Sequence, residues 1–240
     1  MQNSEHHKQY RGMAYSYEKD RQKLKFAYFL LLTASVVFLL TLLGVTDGVS
    51  EWIDYFLLDN LGYTNKWSDT YGSSLLVHTL SDLSALSGKV LLFIATTFII
   101  IYYTIRKEYK LLWKFLTVII GGSFLLLFIK MIFAEDIPYE PIDILISDIA
   151  TYPSGHAFMA MLFYLTIAVL LTRKQRRSEV RVYTFVFASI IIFLIGISRI
   201  FGAAAHNLTE VLAGWSLALI WGSCCWLMER YIKINYKWDV

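Results

Sequence analysis

The feature that most constrains this chain is an uncharged apolar run of 21 residues, Phe26 to Thr46. A bilayer core takes about 20 consecutive apolar residues to cross as a helix. Shorter uncharged runs recur: Val90–Ile105, Phe115–Ile129, Ala157–Thr172, Val182–Ser198 and Val211–Met228. Each short run abuts a charged residue or histidine, so its helix is expected to extend into those polar neighbours. The second extends backwards past Lys89 through Leu83–Gly88. Composition agrees: 57% of residues are hydrophobic and 17% charged, against about 25% charged in soluble domains. A disordered chain, a nucleic-acid-binding domain and a soluble enzyme are thereby excluded, and the expected fold is all-α, with six transmembrane helices.

The first run is no cleavable signal peptide, because about 25 polar residues precede it, its apolar core is too long and no small-residue cleavage site follows. It reads as an anchor. The expected organisation is a cytoplasmic N-terminal tail over 1–25, a first span over 26–46, an outer segment over 47–86, a five-helix core over 87–228 and a cytoplasmic tail over 229–240. The outer segment is expected to hold an interfacial amphipathic helix, a polar loop and a second helical piece. It either covers a substrate entrance or merely closes the bundle. Cys224 and Cys225 are adjacent on one helix, which excludes a disulfide between them and suits small packing residues.

Charge sets the orientation. Eighteen of the 22 Lys and Arg residues fall on one side of the predicted spans, and basic loops mark the cytoplasm. Both termini are then cytoplasmic. The other face is acidic, with Asp47, Glu51, Asp54 and Glu210 among its residues. Lys66, Lys89, Lys130 and Arg199 break the rule. The first two suit a loop and a snorkelling helix end. Lys130 and Arg199 end otherwise apolar helices, where an ionisable residue is a candidate for function.

Four consecutive helices deliver polar chemistry to that outer face. Lys130 ends the third span, Thr151, Ser154 and His156 begin the fourth, Ser198 and Arg199 end the fifth, and His206 and Glu210 begin the sixth. Two cations and a helix N-terminus with Ser154 and Gly155 make an anion site. Two histidines supply a nucleophile or base and an acid near neutral pH. Glu210 lies four residues beyond His206, on the same helical face, and can accept from one ring nitrogen and leave the other to attack. This set suits phosphoryl transfer through a phosphohistidine. It suits zinc poorly, because Arg199 beside the site repels the ion and three placed ligands are required. Gly121-Gly122 reads as a close helix contact. Asn207-Leu208-Thr209 matches a glycosylation triplet that would be buried beside the site.

Pro153-Ser154-Gly155-His156, followed by Ser198-Arg199, five residues, His206, three residues and Glu210, resembles the second and third motifs of the type-2 phosphatidic acid phosphatase family, which shares its site with vanadium haloperoxidases. The resemblance covers about residues 85–228. It implies His206 as nucleophile, Glu210 as its orienting carboxylate and His156 as the acid for the leaving alcohol. It implies Lys130, Ser154, Gly155 and Arg199 as phosphate ligands supported by Ser198, with no metal and no cofactor. Two departures stand out. The family has its lysine, six residues and then Arg-Pro, where this chain has Lys130, six residues and then Ile137-Pro138, with Glu135 and Asp136 beside them. It has Asp where this chain has Glu210.

The expected protein is therefore an integral membrane lipid phosphatase with an outward-facing site, in a bacterial inner membrane with the site towards the periplasm. Its partners are a lipid phosphate and the surrounding membrane lipids, and no nucleic acid. Candidate substrates are phosphatidic acid, phosphatidylglycerol phosphate, undecaprenyl pyrophosphate and lipid A. A phosphotransferase using the same histidine, and a non-catalytic lipid-binding or transport relative, are the alternatives.

Overall fold

The computed structural model describes residues 2–61, 74–133, 152–201 and 207–236. Among them run eight helices: α1 (Gln2–Leu42), α2 (Asp47–Leu61), α3 (Ser74–Ala85), α4 (Lys89–Ile105), α5 (Tyr109–Phe133), α6 (Gly155–Thr172), α7 (Ser178–Phe201) and α8 (Leu208–Tyr236). Six stretches are long and apolar enough to cross a membrane: Arg21–Leu42, His78–Ile105, Tyr109–Phe133, Gly155–Thr172, Ser178–Phe201 and Leu208–Lys233. Each predicted span has its counterpart, and each extends into a polar flank beyond its uncharged run. The polar stretch before residue 26, expected as a tail, is helical from Gln2 and continuous with the first span.

The outside of the bundle is apolar. Phe93 is 74% and Ile105 75% exposed, an arrangement that water disfavours and lipid accepts. Hydroxyls on these helices bond back to their own main chain. Thr97 Oγ1 donates to Phe93 O at 2.9 Å, Thr104 to Ile100 O at 2.7 Å and Ser123 to Ile119 O at 2.8 Å. No hydroxyl proton of these residues is then left facing hydrocarbon.

Inside, α8 packs against α1 and α6, α6 also against α5 and α7, and α3 against α7. The core gathers Leu92, Phe115, Ile119, Phe158, Leu162, Phe163, Leu217 and Ala218. In lipid such helices associate by close van der Waals fit, which small residues permit. Gly121 and Gly122 lie against the Trp221 ring, and Gly122 also against Leu162, the close contact expected of that pair. Trp221 Nε1 donates to Val118 O at 2.9 Å, so α5 and α8 are joined by ring packing and a hydrogen bond together.

The second span is broken. α3 ends at Ala85, and a turn at residues 86–88 leads into α4. Tyr164 of α6 donates to Leu86 O at 2.8 Å and satisfies a carbonyl that the break releases. At one end of the bundle, Glu229 Oε1 lies 2.7 Å from Lys114 Nζ, 2.9 Å from Lys233 Nζ and 3.6 Å from Arg173. Glu108 Oε1 lies 2.7 Å from Lys174 Nζ and 3.1 Å from Arg106 Nε. Two acids thus fasten the basic ends of α4, α5, α6 and α8. Along those same helices and α7, Lys130, Ser154, Arg199 and Glu210 lie at the opposite end.

Candidate active site

The candidate residues lie at one end of the core helices, opposite the Glu108 and Glu229 clusters. α6 begins after Ser154, which is fully buried and caps the helix, its hydroxyl accepting from Ala157 N at 3.5 Å. The first amides of a helix have no intrahelical acceptor, so Gly155 and His156 bring N–H groups and the positive end of the dipole to this point. His156 is half-buried in the first turn.

Lys130, in the last turn of α5, is only 6% exposed. Its Nζ and Cε lie 3.7 and 3.6 Å from where a side chain on Gly155 would start. The ammonium therefore stands beside the α6 N-terminus, and the bare Cα of Gly155 keeps the space between them open. Arg199, in the last turn of α7, is 5% exposed, and its guanidinium donates to Ser84 Oγ of α3 at 3.0 Å. Ser198, beside it, is buried and donates to Ile195 O at 2.7 Å, so its hydroxyl is engaged within its own helix.

α8 joins this group through the main chain. Ser154 N donates to Glu210 O at 3.0 Å. The approach is close because Gly214, one turn on, has no side chain: a Cβ there would lie 2.6 Å from Ser154 O and 3.1 Å from Phe158 N. Glu210 Oε2 accepts from Asn207 N at 3.3 Å. Glu210 thus supplies the N3 half of a capping box at the start of α8, its carboxylate reaching back to the Asn207 amide. The spacing Asn207-x-x-Glu210 carries that signal in the sequence, where the same residues read as a glycosylation triplet and a histidine partner. The remaining sequence candidates, His206, Thr151 and the Ile137 region, lie outside the described residues.

Three contributors were missed in the sequence. Ser84 is separated from Arg199 by more than 100 residues and nothing local marks it. Gly214 sits in an apolar run where a glycine is unremarked. The first turn of α2 reaches the site as well: Thr209 Oγ1 donates to Asp47 Oδ1 at 3.1 Å and pairs with Thr46 Oγ1 at 3.0 Å. Tyr152 closes the same corner. Its hydroxyl pairs with Thr41 at 3.0 Å, and its ring stands edge-on to Phe133 with centroids 4.8 Å apart. Burial raises the Tyr152 phenol above its ordinary pKa, Asp47 pushes the same way, and the Thr41 hydrogen bond partly opposes them.

Chemically, the described residues put the buried Lys130 ammonium beside the α6 N-terminus, a second buried cation, Arg199, in the last turn of α7, and Glu210 of α8 joined by its carbonyl to Ser154. Such a constellation accepts an oxyanion.

Comparison with known proteins bears on the same region. No curated protein sequence matches the chain. The crystal structure of a transmembrane PAP2-type phosphatidylglycerolphosphate phosphatase from Bacillus subtilis has the same fold, with a TM-score of 0.58 and 21% sequence identity over 87% of this chain and 98% of that one. The family model of the PAP2 superfamily matches residues 111–234, a stretch that holds α5 to α8 and every candidate site residue named above from Lys130 to Glu210. This multi-pass, all-helical membrane protein belongs to the PAP2 superfamily.

Proposed function

We propose that the protein is a lipid phosphatase that removes a terminal phosphate from a membrane lipid through a phosphohistidine on His206. The observation that carries the reading is the buried Lys130 ammonium beside Gly155 at the start of α6, with Glu210 held to Ser154 by a main-chain hydrogen bond of 3.0 Å. Superfamily membership supports a phosphatase in kind.

In this mechanism the neutral His206 ring attacks phosphorus, its other ring nitrogen held by Glu210. The bond from phosphorus to the lipid oxygen breaks, and His156 gives that oxygen its proton. Water, deprotonated by the same His156, then cleaves the phosphorus–nitrogen bond and releases inorganic phosphate. Lys130, Arg199 and the first amides of α6 hold the non-bridging oxygens and stabilise their charge as the transition state forms. Glu210 keeps one oxygen on Asn207 N, so the other is the one assigned to the His206 ring. Ser198 supports the end of α7. Neither metal nor cofactor has a role in these steps. Basic loops at the opposite end of the helices assign the site to the outer face, the periplasmic one in a bacterial inner membrane.

The test is phosphate release by the purified full-length protein from phosphatidic acid, phosphatidylglycerol phosphate, undecaprenyl pyrophosphate and lipid A, with and without chelator. Release that survives chelator and disappears in His206→Ala supports the reading. Undiminished release from the His206→Ala protein overturns it.

A further inference from the structure

The phosphatase chemistry leaves one built feature of the outer face unused. A cavity of about 400 Å³ opens between the end of α1, the start of α2 and the first turn of α8. Its wall carries Asp47, Glu51 and Glu210, with the hydroxyls of Thr41, Ser50 and Thr209. Three carboxylates make it a poor place for a second phosphate, since like charges a few ångströms apart repel. Because α2 begins at Asp47, the residues Asp47, Ser50 and Glu51 stand at i, i+3 and i+4 and share one face.

Ser50 sharpens the chemistry. It is 3% exposed, it lines the cavity, and its Oγ has no hydrogen-bond partner among the described residues. A buried hydroxyl left in that state is unfavourable, and a ligand with a donor gives its oxygen a partner. Asp47 is already anchored by Thr209 at 3.1 Å, so its carboxylate is fixed on the wall before any ligand arrives.

We propose that this cavity is a subsite for a primary ammonium group carried by a lipid. An ammonium has three N–H donors and no acceptor, which matches two carboxylates and one hydroxyl on a single helical face. Among the described residues no three His, Cys, Asp or Glu side chains converge as a metal ion requires, so the mixed acceptors suit an ammonium better than a bare divalent cation. Glu210 belongs both to this wall and to the phosphate end, where its carbonyl takes the Ser154 amide. The ammonium therefore sits beside the scissile phosphate, on the α1–α2 side, a placement that rests on the proposed phosphatase reading. The group comes either from the phosphorylated substrate itself or from a neighbouring lipid with an amine headgroup.

Binding is measured on the full-length protein in detergent micelles with two probes, phosphatidylethanolamine carrying a fluorophore on an acyl chain and its N-acetylated counterpart. The wild type is expected to bind the amine at least tenfold more tightly. Glu51→Gln and Ser50→Ala reduce that ratio at least threefold, and Glu51→Lys brings it to one. Equal binding of the two probes by the wild type, or an unchanged ratio in Glu51→Lys, overturns the proposal. Glu51 is exposed, so its variants answer the question even if Ser50→Ala fails to fold. Turnover then separates the two sources. If the substrate carries the amine, a lipid phosphate with an amine beside the phosphate is released faster than phosphatidic acid, and Glu51→Lys erases the preference. If a neighbouring lipid carries it, phosphatidylethanolamine changes the turnover of phosphatidic acid, and Glu51→Lys abolishes that change. Absence of phosphate release from every lipid counts against the phosphatase reading alone, because the binding ratio is read without turnover.

Discussion

Replacing Gly214 by alanine tests whether the site depends on how closely α8 approaches the start of α6. The new methyl would lie 2.6 Å from Ser154 O and 3.1 Å from Phe158 N. A carbon–oxygen contact is comfortable at about 3.3 Å or more, so the two elements must separate by about 0.7 Å. Both neighbours are main-chain atoms in a helix and its cap, and neither can rotate away. Overpacking of this kind costs about 1–3 kcal/mol, less up to about 1 kcal/mol that alanine returns within a helix. The larger effect is on activity. The displaced strut is the hydrogen bond from Ser154 N to Glu210 O, which sets the N-terminus of α6 against that of α8. A misplacement near 1 Å costs about 10²-fold in rate, so kcat/KM for phosphate release is expected to fall ten- to a hundredfold while the melting temperature drops by a few degrees. Gly222, on the same helix with nothing within 4 Å of its added carbon, is the control, and Gly222→Ala should match the wild type in both measurements. If Gly214→Ala also matches the wild type in activity and melting temperature, the close approach does not hold the site together.

The other expectations are briefer. Ser84→Ala removes the hydrogen bond to Arg199 at 3.0 Å; a bond to a charged group is worth about 1.5–3 kcal/mol, so kcat/KM should fall by about tenfold or more, whereas Ser84→Thr, which keeps the hydroxyl, should retain most of the activity. Glu229→Ala leaves Lys114, Arg173 and Lys233 facing one another without their shared acid and should lower thermal stability by about 1–3 kcal/mol, an effect that Glu229→Asp partly restores. Because burial raises the Tyr152 phenol above its ordinary value, the folded state holds that proton more tightly than the unfolded chain; its contribution to stability is full below about pH 10 and is lost as pH climbs through the raised value. Melting temperature scanned from pH 9 to 12 should therefore fall more steeply for the wild type than for Tyr152→Phe.

Most of the bundle was legible because a bilayer leaves a chain few choices. About 20 apolar residues with every backbone group satisfied internally is a pattern that shows in one dimension, and the six spans follow from it. Lys130 and Arg199 stand out for the same reason: in helices this apolar, a buried ionisable residue has to be explained. What stayed hidden depends on how helices meet. Ser84 is an ordinary serine until α3 lies against α7. Gly214 is one small residue among several until the N-terminus of α6 arrives beside it. The helical continuation of α1 through Gln2–Lys25 has no apolar stripe to announce it. The hold of Glu210 on the Asn207 amide is spelled in four residues, but the same carboxylate also lies one turn from His206, so the sequence pattern fits either role.

The bond between Ser154 N and Glu210 O involves no side chain at either end. Whatever residue occupies position 210, its carbonyl is in place, so the junction is blind to the exchange of aspartate for glutamate that sets this chain apart from the family motif. Position 210 can thus drift in side-chain length while the architecture around it stands still. Position 214, one turn on, has no such latitude, since every alternative to glycine brings a carbon atom into the junction. In a library of random variants selected for folding alone, diversity should accumulate at 210 and be purged at 214, the reverse of what the chemical prominence of the two residues would suggest.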